Sequence, residues 1–225
     1  MAKKYAICLG FGDQYIGTGM ARLPFAYKNV LDFSKKLTLK GYVVFQTIPE
    51  SQATKQNIKD HFFEKINLLE PDDWLLFYYV GHGDIRFNPA SGNNVTTYLV
   101  TSFTGFDPAL GHLNFFTDDD YAAVITAFRQ KAPNGHLITV LDCCYAFGMV
   151  DAFKDQQQFH TIIAASSFDK KAFYNTNSFF FQALQIVWDK QLATITNELP
   201  KKMRELNDAS RCQCQLVPTF SSFQL

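Results

Sequence analysis

The segment Trp74–Val80 is the feature that most constrains the fold of this chain. All of its residues are apolar or aromatic. The turn-forming run Pro71-Asp72-Asp73 precedes it and Gly81 follows it. An apolar run of this length without polar alternation is typical of a strand that is covered on both faces, as the strands of parallel sheets are. The segment therefore predicts a buried strand in a sheet with helices on both sides.

The rest of the sequence alternates between strand and helix patterns. The other predicted strands are Tyr5–Leu9, Tyr42–Thr47, Tyr98–Ser102, His136–Leu141, Thr161–Ala165 and an edge strand, Leu216–Phe223, which Pro218 interrupts. The predicted helices are Phe25–Leu39, Gln52–Leu69, Tyr121–Lys131, Ser178–Asp189 and Thr194–Asn207, with Gly41 as a C-cap after the first and Thr117 as an N-cap before the third. This order predicts an α/β fold, a three-layer α/β/α sandwich with a mainly parallel central sheet of about six strands.

Length, charge and cysteine count narrow the class of protein. A chain of 225 residues without repeats or a low-complexity linker predicts one domain, residues 1–225, with no prodomain. The 21 basic and 21 acidic residues balance, which gives no electrostatic reason to expect nucleic acid or a membrane surface as partner. No apolar run approaches the ~18 residues of a membrane span. Five cysteines, an odd number, leave at least one thiol unpaired, and a reducing cytoplasm is the simpler interpretation.

Two of the predicted strands end in groups that can carry chemistry. Asp142, Cys143 and Cys144 follow one strand, and His82 with Gly83 follows the other. Sites in parallel sheets form outside the carboxyl ends of the strands, so a thiol nucleophile and a histidine that manages its proton would meet there. The amides of Gly83 and Cys144 could then stabilise an oxyanion. The alternatives are an ordinary loop histidine, a packed strand-end cysteine, and an aspartate that caps a turn or helix.

These stretches resemble a known family. "LLFYYVGHG" followed by "ITVLDCCYAFG" is similar to the His-Gly and Asp-x-Cys motifs of the caspase-like cysteine peptidases, specifically the metacaspase branch. Three further stretches resemble the same family. Its first helix and second strand are similar to "LPFAYKNVLDFSKKLTLKGY", and its segment after the catalytic cysteine is similar to "IIAASSFDKKAFYNTNSFFFQAL". Its closing strand is similar to "QLVPTF". The resemblance implies a cysteine endopeptidase that cuts a limited set of proteins. It also implies that Cys144 is the nucleophile, His82 the acid/base group, and Cys143 a buried residue at a variable position.

The resemblance also bears on the substrate. The family's aspartate lines the pocket for the residue before the scissile bond, so Asp142 implies Arg or Lys there. Two departures leave acidic or neutral preference open. Lys28-Asn29 stands where the family has Asn-Asp, and Arg22 stands near the place of the arginine with which animal caspases read an acidic residue. Tyr145 replaces the histidine that usually follows the nucleophile.

Activation, metal and partners are expectations from the same resemblance. Autocleavage near Lys154 would fall in the segment after the nucleophile. Calcium candidates are Asp118, Asp119, Asp120 and Asp151, although an acidic first helical turn explains the first three without a metal. The expected partners are a protein or peptide substrate and an activating protein. A role in microbial cell death or antiviral defence rests on the resemblance alone.

Two other functions stay open. The first is a catalytically inactive caspase-like scaffold that binds a partner through the same groove, and Tyr145 is the residue that favours it. The second is a different cysteine hydrolase, or a redox protein that uses the neighbouring thiols of Cys143 and Cys144.

Overall fold

The central sheet has six strands, and all but the last of them run parallel. Their order across the sheet is Tyr42–Val44, Lys4–Gly10, Trp74–Val80, Leu137–Asp142, His160–Ala164 and Gln213–Gln215. The computed structural model of this chain describes residues 2–13, 20–45, 47–88, 94–101, 115–153 and 160–215. The strands are β1 Lys4–Gly10, β2 Tyr42–Val44, β3 Trp74–Val80, β4 Gly83–Asn88, β5 Asn94–Leu99, β6 Phe116–Thr117, β7 Leu137–Asp142, β8 His160–Ala164 and β9 Gln213–Gln215. The helices are α1 Ala26–Leu39, α2 Lys55–Ile66, α3 Asp118–Lys131, α4 Phe179–Val187 and α5 Leu192–Leu206, and Ala146–Phe153 forms a 3-10 helix.

One face of the sheet is covered by α2 and α3. Phe77 of β3 points to this face, where its ring centroid lies 4.9 Å from that of Phe62 in α2 and 5.5 Å from that of Tyr121 in α3. All three side chains are fully buried. Successive residues of a strand point to opposite faces, so the next residue must serve the other layer.

The opposite face is covered by α1 and α4. The ring of Tyr78 lies 4.4 Å from that of Phe33 in α1 and 6.5 Å from that of Phe181 in α4. A strand in the middle of the sheet therefore packs aromatic rings against both helical layers. This two-sided packing explains why the sequence of β3 carries no polar alternation.

Capping residues fix where two of the helices begin and where one ends. The Thr117 hydroxyl accepts a hydrogen bond from the Asp120 amide, and the Asp120 carboxylate accepts one from the Thr117 amide, which makes a capping box at α3. Ser178 caps α4 by accepting from the amide of Phe181. Gly41 follows α1 with φ +82°, a left-handed conformation that costs glycine little.

The predicted three-layer fold with a mainly parallel sheet of six strands is confirmed. The predicted strand Tyr98–Ser102 overlaps β5, which begins and ends earlier, at Asn94–Leu99. The sequence analysis missed the other two strands of the second sheet, β4 and β6, which pair antiparallel with β5. A run as short as β6 carries little periodic signal. The sequence analysis also missed β9, which pairs with β8. The predicted strand Leu216–Phe223 lies outside the described residues. None of the helices in the described part of the chain is both long enough and apolar enough to cross a bilayer.

We expect Phe62→Ala to lower the free energy of unfolding by about 3–5 kcal/mol, because it empties a fully buried site between the sheet and α3. Leu39→Ala is the control, since that side chain is 84% exposed and its removal should change stability by less than about 0.5 kcal/mol. Urea unfolding followed by circular dichroism measures both. Equal effects of the two substitutions would contradict the assigned packing.

Candidate active site

The site is built at the carboxyl ends of the two central strands, β3 and β7. These strands pair in parallel with Val80 directly opposite Asp142. His82 lies two residues beyond Val80, and Cys144 lies two residues beyond Asp142. The imidazole and the thiol therefore leave neighbouring strands at matching positions, and both line the same cleft.

The two turns that carry these side chains are in direct contact. The Gly81 amide donates to the carbonyl of Asp142 over 3.3 Å. A Cβ atom built at Gly83 would lie 2.3 Å from the carbonyl oxygen of Cys144, and 3.0 Å from the sulfur of Cys143. Any larger residue at position 83 would push the two turns apart, so glycine is required by their close approach.

His82 is held from both its side chain and its backbone. Its Nε2 lies 2.7 Å from the carbonyl oxygen of Ala21, which can only accept, so Nε2 carries a proton. In the neutral ring Nδ1 is then the nitrogen that can accept a proton. Its carbonyl accepts from the hydroxyl of Tyr79 at 2.7 Å and from the amide of Val100 at 2.9 Å. Burial lowers the pKa of the imidazole, and the Ala21 bond partly opposes that shift.

The two neighbouring cysteines lie in different environments. Cys143 is buried, and burial raises the pKa of its thiol well above the ordinary value. Cys144 is half-buried and lines the cleft, with its sulfur 3.9 Å from the carbonyl oxygen of Ala172. Burial raises its pKa as well, while the contact with Ala172 and the charge of Lys171 oppose the rise. At neutral pH these shifts favour a neutral thiol and a neutral imidazole in the same cleft.

A loop after β8 shapes the turn around Cys144. The Ser166 hydroxyl donates to the carbonyl of Cys143 and accepts from the amide of Ala146, both over 3.0 Å. The Tyr145 amide donates to the carbonyl of Lys170 over 2.8 Å. Tyr145 has φ 55°, a left-handed conformation that costs a non-glycine residue about 1 kcal/mol or more. The loop therefore holds the turn in a conformation that it would not adopt by itself.

Asp142 forms the floor of the cleft. Its side chain is 4% exposed, and Oδ1 accepts from the Ser178 hydroxyl over 2.6 Å. Oδ2 has no hydrogen-bond partner among the described residues. Burial raises the pKa of the carboxyl to about 7, which the Ser178 bond partly opposes. A buried acceptor without a donor is costly, so this oxygen is suited to a donor that a ligand brings.

The wall of the cleft is mainly apolar. The cleft encloses about 350 Å³, including its open mouth, and Leu23, Phe25, Ala172, Phe173 and Tyr174 contribute to its wall. The rings of Phe25 and Tyr174 lie 5.4 Å apart. An apolar wall around one carboxyl group fits a long side chain with a polar or cationic end.

Of the predicted calcium candidates, Asp118, Asp119 and Asp120 have described side chains, and all three lie in the first turn of α3. The Asp120 carboxylate is bound by Lys55 at 2.7 Å and by Lys59 at 3.0 Å, besides its role in the capping box. One Asp118 oxygen accepts from a main-chain amide of β5, and Asp119 is exposed. Across the described ranges, no group of three or more His, Cys, Asp or Glu side chains is arranged to hold a metal ion. Two ammonium groups already neutralise the Asp120 carboxylate, and this pairing explains the position of that side chain without calcium.

The structure brings together His82, Gly83, Asp142 and Cys144, as the sequence analysis expected. Arg22 is exposed and is not part of the cleft wall. Lys154 and the side chain of Asp151 lie outside the described residues.

The sequence analysis missed two kinds of contact. The Ala21 carbonyl belongs to the main chain and leaves no trace in the residue type. The loop residues Ala172–Tyr174 reach the cleft only through the path of the chain between β8 and α4. Ser178 could have been found, because a serine before an apolar helical run is a typical N-cap, although its bond to Asp142 could not.

Comparisons with known proteins agree with this fold. The sequence profile of the caspase domain matches residues 5–225. Two Arabidopsis thaliana proteins, Metacaspase-7 and Metacaspase-4, are 31% and 28% identical over 109 residues, which is 47% of this chain but only 24% and 23% of theirs. The crystal structure of a protein from Geobacter sulfurreducens aligns with a TM-score of 0.72 at 16% identity over 99% of this chain and 97% of that one. Caspase-1 from Spodoptera frugiperda aligns with a TM-score of 0.61 at 14% identity over 89% of this chain and 75% of that one.

We expect iodoacetamide to alkylate Cys144 of the folded protein and to leave Cys143 unmodified, because only the first of these thiols lines the cleft. The rate should rise with pH above neutrality, since the raised pKa keeps the thiol protonated at lower pH. Fragment mass spectra of the labelled peptide locate the modification. Cys143→Ala is the control and should leave the rate unchanged; faster labelling at Cys143 would contradict the assignment.

The raised pKa of Asp142 also predicts how stability depends on pH. Between pH 3.8, the ordinary value, and about 7, the folded chain binds a proton that the unfolded chain has lost. The free energy of unfolding should therefore fall as pH rises through this window, by roughly 1–4 kcal/mol. Asp142→Asn should remove this contribution, while Asp208→Asn at an exposed position should retain it. Thermal unfolding at a series of pH values measures the difference, and parallel curves for all three proteins would contradict it.

Proposed function

This chain belongs to the caspase-domain family of cysteine peptidases, and from that premise we propose that it is a cysteine endopeptidase with Cys144 as nucleophile and His82 as acid/base group. The observation that carries the proposal is the placement of these two side chains at matching positions beyond the registered pair Val80 and Asp142, in one cleft. A thiol and an imidazole that share a cleft are the minimum for acyl transfer through a thioester.

The proposed reaction starts from the neutral pair. The Cys144 thiol passes its proton to His82 as the sulfur attacks the substrate carbonyl carbon, and the amides of Gly83 and Cys144 receive the resulting oxyanion. His82 then gives the proton to the departing amine, and the carbon–nitrogen bond breaks to leave a thioester. Water attacks the thioester with His82 as base, which releases the acid and restores the thiol. The bond from His82 to Ala21 supports this role because it fixes the plane of the ring and its tautomer.

The proposed substrate carries Arg or Lys before the scissile bond. The apolar wall would take the alkyl part of such a side chain, and the Asp142 carboxyl would meet its cationic end. The oxygen Oδ2, which has no partner among the described residues, supports this choice. A cation there would also stabilise the ionised carboxylate, so Asp142 would lose its proton as the substrate binds.

The biological setting of the proposal rests on family resemblance. It comprises action on a limited set of proteins in the cytoplasm, within a microbial cell-death or defence pathway, with a protein activator or autocleavage near Lys154 as the trigger. The matched segment covers about a quarter of the length of the metacaspase relatives.

A panel of fluorogenic peptides with Arg, Lys, Asp or Ala before the scissile amide tests the proposal. We expect turnover after Arg and Lys, and a loss of at least about a thousandfold in Cys144→Ala. Asp142→Asn should lower kcat/KM for the Arg peptide by about 10–100-fold, because the cation then lacks its counter-charge. Cys143→Ala is the matched control and should keep most activity, which a redox pair would not.

Turnover only after Asp would overturn the proposed substrate class. Binding of the Arg peptide without hydrolysis by the wild-type chain would instead identify a scaffold.

A further inference from the structure

A second cavity lies near the cleft. Its wall is basic, whereas the cleft contains the acidic side chain of Asp142. The second cavity encloses about 600 Å³, including its open mouth, and Lys170, Arg204 and Arg211 contribute cationic side chains to its wall. Asp169 is the one carboxylate of this wall. The whole chain has balanced charge, so this cluster is a local feature and not the result of a general excess of basic residues.

The positive charge of the cavity is not neutralised by its own wall. Asp169 is taken up locally, because its carboxylate accepts from the Ser167 hydroxyl at 2.8 Å and pairs with Lys170 at 3.2 Å. Arg211 donates to the main-chain carbonyls of Asp208 and Ser210. Within the part of the chain that the structure describes, no carboxylate lies at ion-pair distance from Arg204 or Arg211. Two guanidinium groups are thus left to bind an anion from outside, and their planar geometry suits a carboxylate.

The cavity and the cleft share one loop. Ser167–Lys170 line the cavity, whereas Ala172–Tyr174 line the cleft. Lys170 and Ala172 are two residues apart, which corresponds to at most about 7 Å of extended chain. Their carbonyls face the catalytic turn, since Lys170 accepts from the Tyr145 amide and Ala172 lies against the Cys144 sulfur. A polypeptide that occupies the cleft therefore needs only a few more residues to reach the cavity.

We propose that this basic cavity is a second recognition site for the polypeptide substrate, and that it takes the carboxylate of an Asp or Glu side chain a few residues from the bond to be cut. The proposal rests on the proposed function for its substrate, but the binding site itself does not depend on catalysis. Phe168, which is 62% exposed, borders the cavity and offers an apolar edge for the chain that crosses it. Together the two sites would select a segment with a basic residue at the cut and an acidic residue close by.

The test measures binding to the Cys144→Ala chain, which cannot consume the probe. The probes are short fluorescein-labelled peptides with one Arg and a run of Asp placed either before or after it, and matched peptides with Ser in place of Asp. At low salt we expect at least one acidic peptide to bind about five- to tenfold more tightly than its Ser counterpart by fluorescence anisotropy. The difference should shrink as salt is added.

Arg204→Glu, and separately Arg211→Glu, should abolish the preference for the acidic peptide without changing affinity for the Ser peptide. Lys201→Glu is the matched control, because Lys201 is also an exposed cation of α5 but does not line the cavity. It should keep the preference. Thermal unfolding confirms that each variant is folded. If one arginine variant fails to fold, the other still tests the proposal.

Equal affinity for the acidic and Ser peptides would overturn the proposal. So would an equal loss in Lys201→Glu and Arg204→Glu, which would indicate a diffuse field in place of a site. A failure of the proposed function looks different: the wild-type chain would cut none of the peptides, while the preference for the acidic one could still be present in the binding assay.

Discussion

The parallel pairing of β3 with β7 in a single register is the constraint on which the site depends. It sets Val80 opposite Asp142 and so gives His82 and Cys144 equal offsets from the edge of the sheet. A slip of one residue would turn Phe77 and Tyr78 to the opposite faces, away from the helical layers into which their rings pack. The packing of the helical layers on the sheet therefore fixes where His82 and Cys144 emerge from it.

A single hydroxyl joins this site to the helical layer. Ser178 accepts from the amide of Phe181 to begin α4 and donates to the buried carboxyl of Asp142. The aromatic residues of α4 are packed against the sheet, and this packing sets the position of the Ser178 cap. The orientation of the Asp142 carboxyl group follows from its bond to that cap. Holding a carboxyl group in an apolar pocket with one hydrogen bond costs stability. Such a cost is expected where a group is arranged for a ligand and not for the fold.

The sequence predicts most of this fold and the outline of its site, and physical reasons explain the rest. Periodicity marks the buried strands and amphipathic helices, and β3 is predicted to the residue because its run is long and its neighbours are turn formers. The paired motifs place His82 and Cys144 at strand ends. The short strands β6 and β9 carry too little pattern, and the Ala21 carbonyl carries no residue signature at all. Contacts made by main-chain atoms become visible only when the fold brings them to the site.

The loop between β8 and α4 contributes to the walls of both proposed recognition sites, the cleft and the basic cavity. It runs from Ser166, whose hydroxyl accepts from the Ala146 amide in the turn after Cys144, to Tyr174, which lines the cleft together with Asp142. One side of it faces a carboxylate and the other faces two arginines. Two weak sites of opposite charge on one short loop discriminate better than either alone, because their binding free energies add for a segment that reaches both. Both sites would also repel a segment that has an acidic residue at the cut and a basic residue close by. A peptidase that must spare most exposed basic residues in a cell can gain its selectivity in this way, without deepening either pocket.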